Sequence, residues 1–329
     1  MNLLNKYRQF IQKREENAIK QAVKDQFSNG NFFAKAPPMQ SRTVTWDYGF
    51  NWQSMFAPAI EYPTGETNAT VKVTQINCNP RLRDVLYSDW EMPLFNQAIT
   101  TRFIDRYSIN IREIDGLSSG KCIPSNFETL DDLALDRIDT LPKLPKDPED
   151  ALVEALKHQE IRLIHSTLSE PVIKMAWDNR SYLINNGGAH HFAVARYLAE
   201  KLGKSADLNY ECRYFAECSL DAVAIREIQQ AYNLVVVKQD AICEFTDFLN
   251  DYRGHCYRTN FLENYAQLYI FPRDNAQMNA IAEGLKEIGH LDMNKQLSEL
   301  LELQDRHQLI RTDTAAKEVV TISQPRMGR

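Results

Sequence analysis

The chain has 329 residues, 43% of them hydrophobic and 25% charged, which is the composition of a soluble globular protein with a sizeable core. Its formal net charge of −6 disfavours nucleic acid as a partner, because tight non-specific binding needs a basic surface. No apolar run approaches the length of a membrane span and no signal peptide is recognisable, so no membrane partner is expected. The six scattered cysteines then predict reduced thiols in a cytoplasmic protein.

The first segment, residues 1–125, is predicted to be an N-terminal helix followed by an irregular α+β region. Apolar residues recur at helical spacing over residues 2–27, and we expect that helix to pack on the body of the protein. Ala69–Ile76 is the clearest strand, whereas Pro80–Tyr107 has a helical pattern. We interpret the three tryptophans of this region as core residues: Trp46, Trp52 and Trp90.

The second segment, residues 126–219, has the clearest order of elements. Asp147 and Pro148 form a helix start, with an N-cap residue and a proline at the first helical position, and the helix is predicted to reach Ile164. The elements expected after it are a strand (Pro171–Trp177), a hairpin turn (Asp178–Arg180), a strand (Ser181–Ile184), a glycine turn, a helix that ends before Gly203, and a strand (Leu208–Phe215).

The third segment, residues 220–312, is predicted to be mostly helical, and residues 313–329 a polar tail. The predicted helices cover Leu220–Leu234, Asp240–Tyr252, Asn260–Tyr269, Asn275–Ile288 and Met293–Gln308. The fold class predicted for the whole chain is therefore α+β.

The most informative stretch is the glycine turn of the second segment. The strand there ends at Asn185-Asn186-Gly187-Gly188, and two histidines open the helix that follows. Glycines let backbone N–H groups approach a phosphate, and a helix N-terminus adds a favourable dipole. The ligand-binding residues predicted from this pattern are Asn186, Gly187, Gly188, His190 and His191.

Residues Ile184–Tyr197 resemble the ParB/sulfiredoxin-like superfamily, whose members carry a strand, a short glycine turn and a His/Arg pair that opens a helix. The similarity extends over residues 133–215. It implies a ParB/sulfiredoxin-like core that binds ATP or CTP, with phosphotransfer in some members.

The chain departs from that pattern at several positions. Ala189 stands where sulfiredoxins have a reactive cysteine, and His191 where many members have an arginine. Asn185 and Asn186 stand where an acid is usual. Because an amide is a weak Mg²⁺ ligand and takes no proton at neutral pH, we expect weak Mg²⁺ dependence and slow or absent turnover. An acid from elsewhere, Asp178 or Glu160, could change this.

The two histidines differ in their positions on the helix. His191 falls on the same stripe as Ala195 and Leu198, which favours a structural role, whereas His190 lies nearer the edge of that stripe, which favours a ligand role. Arg196 is predicted to lie on a solvated face.

Other motifs are weaker. The stretch Gly116–Cys122 is one residue too short for a P-loop. Cys212 and Cys218 lack the second pair of ligands that a zinc site needs, so no metal site is predicted.

Two functions remain open from the sequence. The first is binding of a nucleotide or other phosphorylated ligand at the glycine turn, with phosphotransfer or hydrolysis left undecided and no catalytic residue assigned. The alternative is a non-catalytic interaction or regulatory protein that uses the fold as a scaffold and binds a protein partner through its helical C-terminal part. Under the first hypothesis, a Gly188→Val variant should stay folded and lose the ligand.

Overall fold

The computed structural model describes residues 3–28, 71–81, 84–118, 127–141, 144–165, 170–261 and 266–322, and within them the chain is an α+β protein. The helices are α1 (Leu3–Phe27), α2 (Pro93–Asn96), α3 (Leu130–Arg137), α4 (Pro148–Leu156), α5 (Arg162–His165), α6 (Ala189–Lys201), α7 (Ala222–Ala231), α8 (Ile242–Leu249), α9 (Ala276–Glu287) and α10 (Met293–Ile322). The strands are β1 (Lys72–Asn79), β2 (Asp84–Glu91), β3 (Ile99–Asn110), β4 (Gly116–Leu117), β5 (Val172–Met175), β6 (Arg180–Leu183), β7 (Asn209–Leu220), β8 (Tyr232–Lys238), β9 (Gly254–Phe261), β10 (Ala266–Pro272) and β11 (Leu291–Asp292).

The described residues fall into two compact units. One contains those within 1–37, 50–99 and 221–298, and the other those within 100–220 and 299–322. This division differs from the consecutive segments expected from the sequence. Strands β3 and β4 lie within the predicted first segment, but they belong to the same sheet as β6, which precedes the glycine turn. None of the described helices is long and apolar enough to cross a membrane.

The first unit is built on a six-stranded sheet in the order β11-β8-β10-β9-β1-β2, with antiparallel pairs throughout. Helix α1 confirms the helix predicted for residues 2–27. Its C-terminal half buries Ile19, Val23 and Phe27, and a Cβ added to Gly284 of α9 would lie 3.1 Å from the Val23 Cβ. The glycine therefore lets α1 and α9 pack closely, whereas Tyr7 near the start of α1 is exposed.

Two helical predictions are wrong. The C-terminal region predicted to be helical contains β8, β9 and β10, and Asn260–Tyr269 spans the end of one strand and the start of the next. Residues 234–237 of β8 are all buried, and a strand buried on both faces has a continuous apolar run rather than an alternating one. The Pro80–Tyr107 stretch holds β2 and most of β3, with only the four-residue helix α2 between them.

The predictions for Trp90 and for the C-terminal tail are both wrong. Trp90 lies on β2 and is 50% exposed, so it is not a core residue. Trp46 and Trp52 lie outside the described residues, as does most of the Gly116–Cys122 stretch. Helix α10 continues to Ile322, into the region predicted to be a tail.

The second unit is built on a five-stranded sheet in the order β3-β7-β5-β6-β4. Strand β6 is antiparallel to β5 and parallel to β4, and β5 is parallel to β7. Helices α3 and α4 pack against α6, whose buried face includes Phe192, Ala195 and Leu198. The hairpin of β5 and β6 and the helix after the glycine turn thus confirm the order predicted from the sequence.

The start of α4 is as predicted and its end is not. The Asp147 side chain accepts hydrogen bonds from the N–H groups of Glu149 (2.9 Å) and Asp150 (3.0 Å), and Pro148 opens the helix. However, α4 ends at Leu156 instead of Ile164. The loop that follows it brings the backbone of residues 160–161 against the glycine turn.

Candidate ligand-binding site

The glycine turn joins β6 to α6 through residues 184–188. Gly187 has φ +115° and Gly188 has φ +66°, so both lie in the left-handed region that side chains disfavour. Gly188 also caps α6, since its carbonyl accepts the N–H of Phe192 at 2.9 Å. The turn thus requires glycine for its own geometry.

Asn185 fixes the shape of the turn. It is 6% exposed, its side-chain oxygen accepts the Ser118 N–H at 3.1 Å, and its side-chain nitrogen donates to the Gly187 carbonyl at 2.9 Å. Asn185 therefore ties the turn to the residue that follows β4. This amide is fully engaged in structure where the resemblance would place an acid.

Two glutamates bind the backbone N–H groups of the turn. The Asn186 N–H donates to Glu170 Oε1 at 2.7 Å, and the Gly188 N–H donates to Glu160 Oε2 at 3.1 Å. Glu160 is exposed, whereas Glu170 is 5% exposed. The carboxylates at the turn thus come from two other segments of the chain.

Burial dominates the electrostatics of Glu170. Removal from solvent raises the pKa of its carboxyl group, and the Asn186 N–H, the Arg162 guanidinium and the Leu163 N–H oppose that rise. The neutral form of Glu170 is therefore more favoured than it would be in water.

The predicted histidines lie at the start of α6 and both are half-buried. The His191 ring stacks on that of His158, with 3.5 Å between ring centroids and 11° between ring planes. His158 Nδ1 is shielded from solvent and has no hydrogen-bond partner. The sequence did not single out His158 as a neighbour of the turn.

Two other predictions about side chains are corrected. Arg196 does not lie on a solvated face: its side chain is 17% exposed and forms an ion pair with Asp131 at 2.7 Å. Asp178 lies at the far end of β6, because the β5–β6 hairpin reverses there, and a four-residue strand spans about 13 Å. Of the two acids considered upstream, Glu160 reaches the turn and Asp178 does not.

Asp178 belongs to a separate acidic pair. Its Oδ1 accepts the Arg180 N–H at 3.0 Å, and its Oδ2 is shielded from solvent without a partner. Burial raises the pKa of Asp178 to about 7, and the nearby Asp115 adds to the rise. Asp115 accepts the Ser181 N–H at 2.9 Å, and burial raises its pKa as well.

The described part of the chain shows neither a cluster of metal ligands nor a disulfide. It contains no group of three or more His, Cys, Asp or Glu side chains that could hold a metal ion. None of its five cysteines forms a disulfide, and burial raises the pKa of Cys218 to about 11. A buried thiol with a raised pKa is a poor nucleophile.

The model of a family of unknown function, DUF6685, matches residues 104–309, more than half of the chain. The chain belongs to this family. The DUF6685 match begins within β3 and includes the glycine turn together with Glu160 and Glu170. No curated protein and no solved structure matches the chain.

Proposed function

We propose that the glycine turn binds a nucleotide or another phosphorylated ligand. The observation that carries this proposal is that the N–H groups of Asn186 and Gly188 each donate to a carboxylate. A donor that holds a carboxylate oxygen is also suited to a phosphate oxygen, and the N-terminus of α6 adds its dipole. The Gly188 N–H is the donor whose carboxylate, that of Glu160, is exposed.

The histidines supply the remaining contacts. His190 lies in the first turn of α6, so we assign it a hydrogen bond to the ligand, whereas His191 stacks on His158 and positions the helix start. The resemblance to the ParB/sulfiredoxin-like superfamily makes ATP and CTP the first ligands to test.

Phosphotransfer or hydrolysis would depend on the carboxylates near the bound phosphate. With Asn185 engaged in the turn, Glu160 and Glu170 are the carboxylates nearest a bound phosphate. Two carboxylates are fewer than a protein-built magnesium cage needs, so Mg²⁺ would arrive with the nucleotide. We expect binding to depend weakly on Mg²⁺, and we expect any phosphate release to be kept in Asp178→Asn.

A thermal-shift screen of nucleotides, with and without Mg²⁺, tests the proposal. A ligand at about 100 times its Kd should stabilise the fold by about 2.7 kcal/mol. The shift should be smaller for His190→Ala, while His307→Ala, on α10, serves as the control. The absence of a shift with any nucleotide would contradict the proposal.

A non-catalytic interaction protein is the second candidate. Two observations favour it: the carboxylates already satisfy the turn without a ligand, and large apolar side chains are exposed on α1 (Tyr7, Phe10) and on β2 (Leu86, Trp90). The partner surface would then include α1 and β2 in place of the helical C-terminal part expected from the sequence.

Cross-linking in a cell lysate tests this second candidate. A partner captured by the wild-type chain should be lost from a Tyr7→Ala/Phe10→Ala variant, and capture that is unchanged would exclude the α1 surface. The cytoplasmic location stays a prediction, which cell fractionation tests.

A further inference from the structure

The carboxylate of Glu160 covers both glycines of the turn. Its Oε2 accepts the Gly188 N–H at 3.1 Å. Its Cδ and Oε2 would each lie 3.5 Å from a Cβ added to Gly187. The carboxylate therefore sits against the part of the turn where a bound phosphate would have to lie.

We propose that Glu160 is an internal competitor of the ligand: its carboxylate fills the anion position in the ligand-free protein, and a phosphate group binds by displacing it. This inference rests on the proposed function of the turn. It also restricts the ligand. A carboxylate ligand would only replace one carboxylate by another, whereas a phosphate dianion or polyphosphate brings more charge to the same donors.

The surroundings of the two glutamates indicate which one moves. Glu160 is exposed, so its side chain can turn into water without losing buried contacts. Glu170 is 5% exposed, so leaving the turn would cost it its buried surroundings and its hydrogen bond from the Asn186 N–H.

The two acids therefore have opposite parts. Glu160 yields the Gly188 N–H to the phosphate, whereas Glu170 keeps the Asn186 N–H and holds the turn in shape.

Calorimetric titration of the full chain with inorganic phosphate and with ATP tests this inference. The variant is Glu160→Gln, and the matched control is Glu154→Gln, whose parent carboxylate lies on the surface of α4, 3.7 Å from Lys157 Nζ. We expect Glu160→Gln to bind both probes up to about fivefold more tightly, from the interaction of one carboxylate with a helix N-terminus. The control should bind as the wild type does.

Repeating the titration at high salt distinguishes long-range charge repulsion by Glu160 from direct competition for the site. In about 1 M salt the Debye length falls to about 3 Å, so long-range repulsion is screened while direct competition remains. The tighter binding of Glu160→Gln should therefore persist. A gain that disappears at high salt would overturn the competitor role.

The remaining outcomes distinguish the two proposals. Equal affinities in wild type and Glu160→Gln would overturn the competitor role and leave the phosphate site standing. Weaker binding in both Glu160→Gln and Glu160→Ala would make Glu160 a ligand contact, which also overturns it. If neither probe binds any of these proteins, both proposals fail.

Discussion

Replacing Gly188 by alanine should destabilise the protein strongly, for two reasons that the structure separates. A Cβ at this position would lie 2.6 Å from the Glu160 carbonyl oxygen and 2.7 Å from its carbonyl carbon. These are backbone atoms, so the loop must shift, and such overpacking costs about 1–3 kcal/mol. The φ of +66° adds about 1–2 kcal/mol for a residue with a side chain. The expected total is about 2–5 kcal/mol.

Gly203 provides a matched control. Its φ is also +66°, but a Cβ there would meet no atom within 4 Å. Gly203→Ala should therefore lower the free energy of unfolding only by the conformational cost of the positive φ, about 1–2 kcal/mol. Denaturant unfolding of both variants gives the difference, which measures the contact between residues 160–161 and the turn. Equal losses in the two variants would refute that contact. Gly188→Val is consequently not the clean ligand-site variant that the sequence suggested.

Three further predictions concern ionisable and aromatic groups. Because burial raises the pKa of Asp178 from 3.8 to about 7, the folded state holds this proton more tightly; stability should fall by up to about 4 kcal/mol as pH rises from about 4 to 7. In denaturant unfolding at several pH values, Asp178→Asn should remove this fall in stability with pH. An unchanged fall in the variant would contradict the raised pKa of Asp178. His290 behaves oppositely: burial lowers its pKa from 6.5 to about 4, so stability should fall as pH drops through that range, and His290→Asn should lessen the fall. The stacked His158 and His191 should show a coupling of about 0.5–1.5 kcal/mol in a double-mutant cycle at neutral pH, and additive losses would contradict the stack.

Around the glycine turn, short sequence motifs were sufficient to predict the secondary structure. The proline and aspartate at the start of α4, the hairpin at Asp178–Arg180 and the glycines before α6 each specify backbone geometry through neighbouring residues. Glu170 could have been found as well. The hairpin pairs Val172 with Leu183, so continuing the register places Glu170 beside Asn185.

The rest of the site depends on contacts that are distant in sequence. Glu160 reaches Gly188 because α4 ends early, and no capping signal in the sequence marks that end. The C-terminal strands were missed for a different reason. Buried runs such as residues 234–237 satisfy a helical and a strand pattern equally well, and only pairing with β10 and β11 decides between them.

The most direct test of the phosphate site is an NMR titration of the ¹⁵N-labelled chain with ATP that follows the backbone amides of the turn. A ligand phosphate that displaces Glu160 changes the hydrogen-bond acceptor of the Gly188 N–H. We predict that the Gly188 amide signal shifts in a saturable way, together with its neighbours at the start of α6, while that of Gly203 stays in place. A turn whose amide signals do not move at saturating ATP would contradict the account.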